Sequence, residues 1–176
     1  MPDPDELTST FGQRVKFYAI HIIYLHGCKI ARTAIPSLVP LLGASRGWTE
    51  AQQAMVNGGF YSGYILTQIP SAPLIQRFGA KPVLGVGIAG TAAVFLAVPR
   101  LSSAGAVTTA MAVMGLLQGP LGPGSSAMNA EWMPRGSIEQ TWALRAIALS
   151  HTLSPLFSVW LVPRLVRFTS NPPVFV

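Results

Sequence analysis

Lys29 and Arg32 stand three residues apart inside Phe17 to Leu42, an apolar run with no other Lys, Arg, Asp or Glu. Residues at this spacing share one face of a helix. Arg offers a bidentate fork to phosphate or carboxylate and Lys a point charge, so the pair could hold an anion. The competing reading is that both side chains snorkel to an interface. A second set, Asn57, Tyr61, Tyr64 and Gln68, recurs at steps of four, three and four, which makes one polar stripe on a helix. It could donate hydrogen bonds to a solute in a cavity, bond between helices, or place tyrosines at a membrane interface. The third set surrounds Gly119-Pro120-Leu121-Gly122-Pro123-Gly124. Proline removes a backbone donor and bends or breaks a helix, and broken membrane helices often border binding sites. Gln118, Ser125, Ser126 and Asn129 flank this break; a bent packing helix is the alternative.

Catalytic patterns fail on their surroundings. Gly85-Val86-Gly87-Ile88-Ala89-Gly90 matches GxGxxG, but it lies within an apolar span, and no acid occurs between Glu50 and Glu131. A dinucleotide site needs a preceding strand and an acid about twenty residues on. Ser150-His151 with Ser154 has no Asp or Glu in its apolar stretch to orient the imidazole. His21, His26 and His151 show no metal-ligand spacing. The single cysteine, Cys28, excludes an internal disulfide framework and any CxxC site. The expectation is a protein that is not an enzyme and needs no cofactor or metal.

The elements that must carry these residues are membrane helices. Half of the 176 residues are hydrophobic and 10% are charged, against about 25% charged in soluble domains. Too few polar groups remain to cover a globular surface, so the lipid bilayer is the expected solvent. A spanning helix needs about 20 mostly apolar residues. Five stretches qualify: Phe17 to Leu42, Ala51 to Gln76, Val83 to Val98, Ala104 to Met128 and Trp142 to Leu165. The expected organisation is a cytoplasmic tail over 1–16, a helical bundle over 17–165 and a truncated C-terminal tail over 166–176. The first ten residues carry Asp3, Asp5 and Glu6 and no cation, unlike the basic start of a secretory signal.

Lys29, Arg32 and Arg145 fall inside spans, where a central cation costs roughly 2.5–3.5 kcal/mol. All three are therefore expected to face a protein interior or a watery cavity. With the N-terminus inside, Arg14, Lys16, Arg77, Lys81 and Arg135 are cytoplasmic, and Arg46, Arg100, Arg164 and Arg167 are outside. The positive-inside rule favours this arrangement by a small margin. The net charge of +6 comes from scattered cations, which suits lipid headgroups or an anionic solute better than nucleic acid. Gly59 with Gly63, and Gly115 with Gly119, form two GxxxG steps that could seat helices closely or be chance in a glycine-rich chain.

The run Gly63-Tyr64 through Thr67-Gln68-Ile69-Pro70 to Arg77-Phe78-Gly79-Ala80-Lys81-Pro82-Val83-Leu84 resembles the second and third helices of major facilitator superfamily transporters. It looks most like the sodium-phosphate and organic anion branch. Ala34-Ile35-Pro36, Gly47-Trp48, Met114-Gly115-Leu116-Leu117-Gln118-Gly119 with Pro123, and Trp132-Met133-Pro134 agree with that branch in order and spacing. The resemblance implies an all-α membrane protein, a partial N-terminal facilitator bundle of about five transmembrane helices. It also implies transport of a small, anionic solute by alternating access. Substrate contacts would be Lys29, Arg32, Asn57, Tyr61, Tyr64, Gln68 and Gln118, with Arg77, Gly79 and Lys81 as the gate loop.

Three departures qualify it. Gln76 stands where the family carries an aspartate, Met111 where it carries an arginine, and Gln118 where it carries a glutamate. These positions serve gating and ion coupling in the family, so the resemblance implies an intact fold with altered coupling. The family's first-helix arginine aligns near Cys28, so Lys29 or Arg32 stands in for it. The family has twelve helices in two halves, so the partners implied are a second transporter half or another membrane subunit. The alternative is a non-transporting remnant with an assembly or regulatory role.

Overall fold

The computed structural model describes residues 11–133 and 136–169. The expectations for residues 1–10, Pro134, Arg135 and 170–176 lie outside the described residues, as do those for the Ser150 and His151 side chains. Among the described residues there are seven α-helices: α1 (Phe11–Arg46), α2 (Glu50–Gln68), α3 (Ser71–Phe78), α4 (Ala80–Ala97), α5 (Ala104–Gln118), α6 (Leu121–Trp132) and α7 (Ile138–Thr169). A 3-10 turn, Val98–Arg100, follows α4.

The five expected spans map onto these as α1, α2 with α3, α4, α5 with α6, and α7. The helices run past several expected ends. α1 covers Phe11–Arg46 and α7 covers Ile138–Thr169, so helix extends through 11–16 and 166–169. Apolar pattern marks where a helix is buried, and helical hydrogen bonding extends beyond it. The second span is not continuous to Gln76. It breaks at Ile69-Pro70 and resumes as the eight-residue α3, because Pro70 cannot donate to the preceding turn.

Local chemistry sets the ends. Thr49 caps α2 in a capping box: Gln52 N donates to Thr49 Oγ1 at 3.3 Å, and Thr49 N donates to Gln52 Oε1 at 2.9 Å. Ser103 caps α5 by accepting from Ala106 N at 3.2 Å. Gly79 has φ 83°, a left-handed conformation that glycine adopts without a Cβ penalty. Its N–H donates to Ile75 O at 2.8 Å, ending α3 so that α4 can start at once. Arg46 Nη1 donates to the Leu101 carbonyl at 2.7 Å and ties the end of α1 to the α4–α5 connection.

α2 packs chiefly on α5, α1 on α7, and α4 on α5 and α6. The α2–α5 seam is where the two GxxxG steps meet. A Cβ at Gly63 would overlap the Ala112 carbonyl, and one at Gly115 would overlap the Phe60 carbonyl. Gly59 lies against Thr108 and Gly119 against Thr67 and Tyr64. The steps are packing devices. Gly87 and Gly90 of the GxGxxG match likewise seat α4 against Leu117 and Leu121. Around the seam lies the main core, with Val56, Phe60, Val107, Met111 and Met114 fully buried. Met111, one of the three neutral departures, is fully buried in this core.

Proline costs are met across the bundle. Pro120 has no N–H for the Leu116 carbonyl, and Thr67 Oγ1 of α2 donates to that carbonyl at 2.9 Å. Neighbouring hydroxyls commonly satisfy carbonyls freed in this way. Thr67→Val is expected to lower the thermal midpoint of the purified protein, at a cost of about 1 kcal/mol. Thr67→Ser, which keeps the hydroxyl, is expected to leave the midpoint within a degree or two.

Ala80–Arg100 and Ala104–Trp132 are long and apolar enough to cross a membrane. α1 and α7 have 36 and 32 residues, but polar residues dilute their hydropathy. Many of those face inward: His21, Lys29, Ser154 and Ser158 are buried, and His26 Nδ1 bonds Ser154 Oγ across the α1–α7 seam. Arg145 differs from expectation. It is exposed, with its guanidinium 5.4 Å from the Trp142 ring centroid, because the rotation of α7 turns Ala143 inward and Arg145 out.

Candidate solute-binding cavity

Five of the seven predicted contacts converge on one cavity of ≈ 500 Å³. Lys29 and Arg32 come from α1, Tyr64 and Gln68 from α2, and Gln118 from the end of α5. The first turns of α6 supply Ser125 and Ser126, and Asn129 follows one turn later; Leu144 and Ile147 of α7 close one side. The break at Gly119–Pro120 places these groups together. α5 delivers Gln118 to the rim, and α6 restarts with its polar residues facing α1.

Lys29 is only 8% exposed, and it makes no ion pair among the described residues. Its carbonyl accepts from Thr33 Oγ1 at 2.8 Å. Arg32 lies with its guanidinium carbon 5.3 Å from the Phe60 centroid, a cation–π distance that holds it between α1 and α2. Gln118 Nε2 donates to the Cys28 carbonyl at 3.1 Å. This cross-bond fixes the Gln118 amide beside Lys29.

The polar stripe on α2 divides. Asn57 and Tyr61 open instead onto a second hollow of ≈ 460 Å³, shared with Thr33, Ser37 and Val159. Arg32 lines both spaces, and Phe60, beneath its guanidinium, lines the second. Tyr61 is 61% exposed. A helix stripe predicts a common face, but Asn57 and Tyr61 line one hollow and Tyr64 and Gln68 the other. Arg77, Gly79 and Lys81 line neither hollow. They sit exposed on the α3–α4 turn, with Arg77 5.4 Å from the Phe78 ring centroid.

One buried polar group was not singled out from the sequence. His21 Nε2 and Tyr24 OH each lie 2.8 Å from Ser125 Oγ, pinning α1 to α6. The signal was the spacing: His21, Tyr24, Cys28 and Arg32 fall at steps of three, four and four along α1.

A model of the Major Facilitator Superfamily matches residues 28–175. This chain belongs to the Major Facilitator Superfamily. The facilitator chain is 30% identical over 125 residues to the probable anion transporter 4, chloroplastic, of Arabidopsis thaliana, covering 70% of this chain and 24% of that one. It is 35% identical over 94 residues to human sialin, covering 52% of this chain and 19% of sialin. It is 29% identical over 93 residues to vesicular glutamate transporter 1 of Bos taurus, at 52% and 17%. The chain thus spans a quarter or less of the length of each of these relatives.

As a facilitator it is an integral, multi-pass membrane protein, and its tryptophans suit that setting. Trp142 and Trp160 are exposed on α7, about 27 Å apart along its axis at 1.5 Å per residue. That is close to the roughly 30 Å hydrocarbon thickness. Each has an arginine over its ring, Arg145 at 5.4 Å and Arg164 at 4.1 Å. In single-tryptophan variants, lipids brominated near the headgroup should quench both residues more than lipids brominated at the chain ends. The opposite ranking would displace α7 from this depth.

Proposed function

We propose that this chain is the N-terminal part of a carrier that moves small anions across a membrane by alternating access. The observation that carries the reading is Lys29, buried with no carboxylate partner among the described residues, on the wall of a cavity that Arg32 also lines. An unpaired cation inside a membrane protein is costly, and such residues commonly mark ion and substrate pathways. An anion supplies the missing countercharge. Relatives named as an anion transporter, sialin and a vesicular glutamate transporter support the same class of solute.

Lys29 and Arg32 provide charge, Gln68, Tyr64 and Gln118 provide hydrogen bonds, and Asn57 with Tyr61 line an adjoining stretch of the route. The exposed Arg77–Lys81 turn is free to meet a second bundle as a gate loop. Alternating access rocks one half of a carrier against another, so a second transporter half is the proposed partner. The test is uptake by the full reading frame's product in proteoliposomes, with inorganic phosphate and small carboxylates as tracers. Lys29→Gln with Arg32→Gln should abolish uptake. Unchanged uptake of every anion in that double variant would remove the binding role assigned to both residues.

A further inference from the structure

We infer that Asn129 reads hydrogen-bond donors on the solute, so that the cavity selects organic anions bearing hydroxyl or amino groups over equally charged ones without them. This deepens the anion reading and rests on it.

Asn129 lines the same cavity as Lys29 and is 9% exposed. Its Oδ1 is buried and meets no donor among the described residues. A buried acceptor left unpaired is costly, and in native proteins each such atom calls for a reason. The polar neighbours on α6 cannot supply one. The Ser125 hydroxyl is engaged by His21 and Tyr24, and Ser126 Oγ donates to the Gly122 carbonyl at 3.2 Å. The last torsion of asparagine is soft, so a small rotation brings Oδ1 onto the cavity wall.

Gln118 adds a second acceptor. Its Nε2 is committed to the Cys28 carbonyl, which leaves Oε1 for a donor. The cavity therefore offers two cations and two amide oxygens. The cations suit a carboxylate; the amide oxygens repel further carboxylate lone pairs and suit O–H or N–H. Gln118 ends α5 and Asn129 lies in α6, beyond the helix break, and both line the one cavity. Its volume of ≈ 500 Å³ falls in the range that holds organic ligands. The solute that meets the cations and both amides is an organic acid larger than inorganic phosphate.

Adipate and glucarate test this, because they share a carbon skeleton and charge and differ in hydroxyls. In proteoliposomes holding the full reading frame's product, glucarate should enter at least about tenfold faster than adipate. Asn129→Leu should bring that ratio toward one. Asn129→Ser, smaller and still polar, should narrow it partly, and gives a second reading if the leucine variant does not fold. Equal entry of the two acids in the parent, or an unchanged ratio in both variants, overturns the inference. A different pattern sinks the anion reading itself, and the inference with it: neither acid nor inorganic phosphate enters, or Arg32→Gln leaves their entry unaltered.

Discussion

Gly63→Leu, or Gly115→Leu, should leave no recoverable folded bundle. Ordinary overpacking of a core costs about 1–3 kcal/mol because side chains can shift. Here the obstacles are backbone: the Ala112 carbonyl faces Gly63 and the Phe60 carbonyl faces Gly115. Backbone yields only if α2 and α5 separate, and separation opens the core of Phe60, Val107, Met111 and Met114. The cost therefore exceeds the overpacking range, a large share of a total stability of about 5–15 kcal/mol. Gly58 and Gly105 are the internal controls, since a Cβ at either meets nothing within 4 Å. Gly58→Ala and Gly105→Ala should be neutral or slightly stabilising, by up to about 1 kcal/mol. Monodisperse yield after detergent extraction and the thermal midpoint of the soluble fraction check both expectations.

Lys29→Met should move stability and function in opposite directions. Lys29 is buried with no ion pair among the described residues. An unbranched apolar side chain of similar reach removes that charge, and insertion scales put a central lysine at roughly 2.5–3.5 kcal/mol. The variant should melt higher than the parent in the absence of solute. Anion uptake should fall at least about a hundredfold. Unit charges 4 Å apart attract by about 4 kcal/mol at an effective dielectric of about 20, and each 1.4 kcal/mol is tenfold in affinity. A parent stabilised by added anion, with a Met variant that is not, would separate this effect from a packing change. A variant that melts lower and still binds anion would contradict the assignment.

What could be read from residues alone was local. Gly79 between Arg77 and Lys81 marks a tight turn whatever surrounds it, and Gly119-Pro120 breaks a helix for reasons internal to the chain. The apolar stretches located five helical units, and two of them, Ala80–Arg100 and Ala104–Trp132, are long and apolar enough to cross a membrane. Features that depend on how one helix is rotated against another were harder. Arg145 looks like a cavity residue until α7 turns Ala143 inward. Asn57, Tyr61, Tyr64 and Gln68 form one stripe on paper, yet the packing divides it between two hollows that share Arg32. The contrary case is instructive. Ser125 appeared as one polar residue among several near a helix break, and only the packing of α1 on α6 joins it to His21 and Tyr24. Proline also read ambiguously, since Pro36 and Pro40 lie within α1 without ending it, whereas Pro70 follows a true break.

The central claim is that a positive charge at position 29, inside a membrane cavity, holds the transported anion. Chemical restoration of that charge tests it most directly. In a Cys28→Ser background, Lys29→Cys should lose anion uptake in proteoliposomes. Modification with aminoethyl methanethiosulfonate, which returns an ammonium group to position 29, should restore it. The sulfonatoethyl reagent, which adds a negative charge at the same place, should not. Normal uptake by the unmodified Lys29→Cys protein, or equal recovery with both reagents, would contradict the claim.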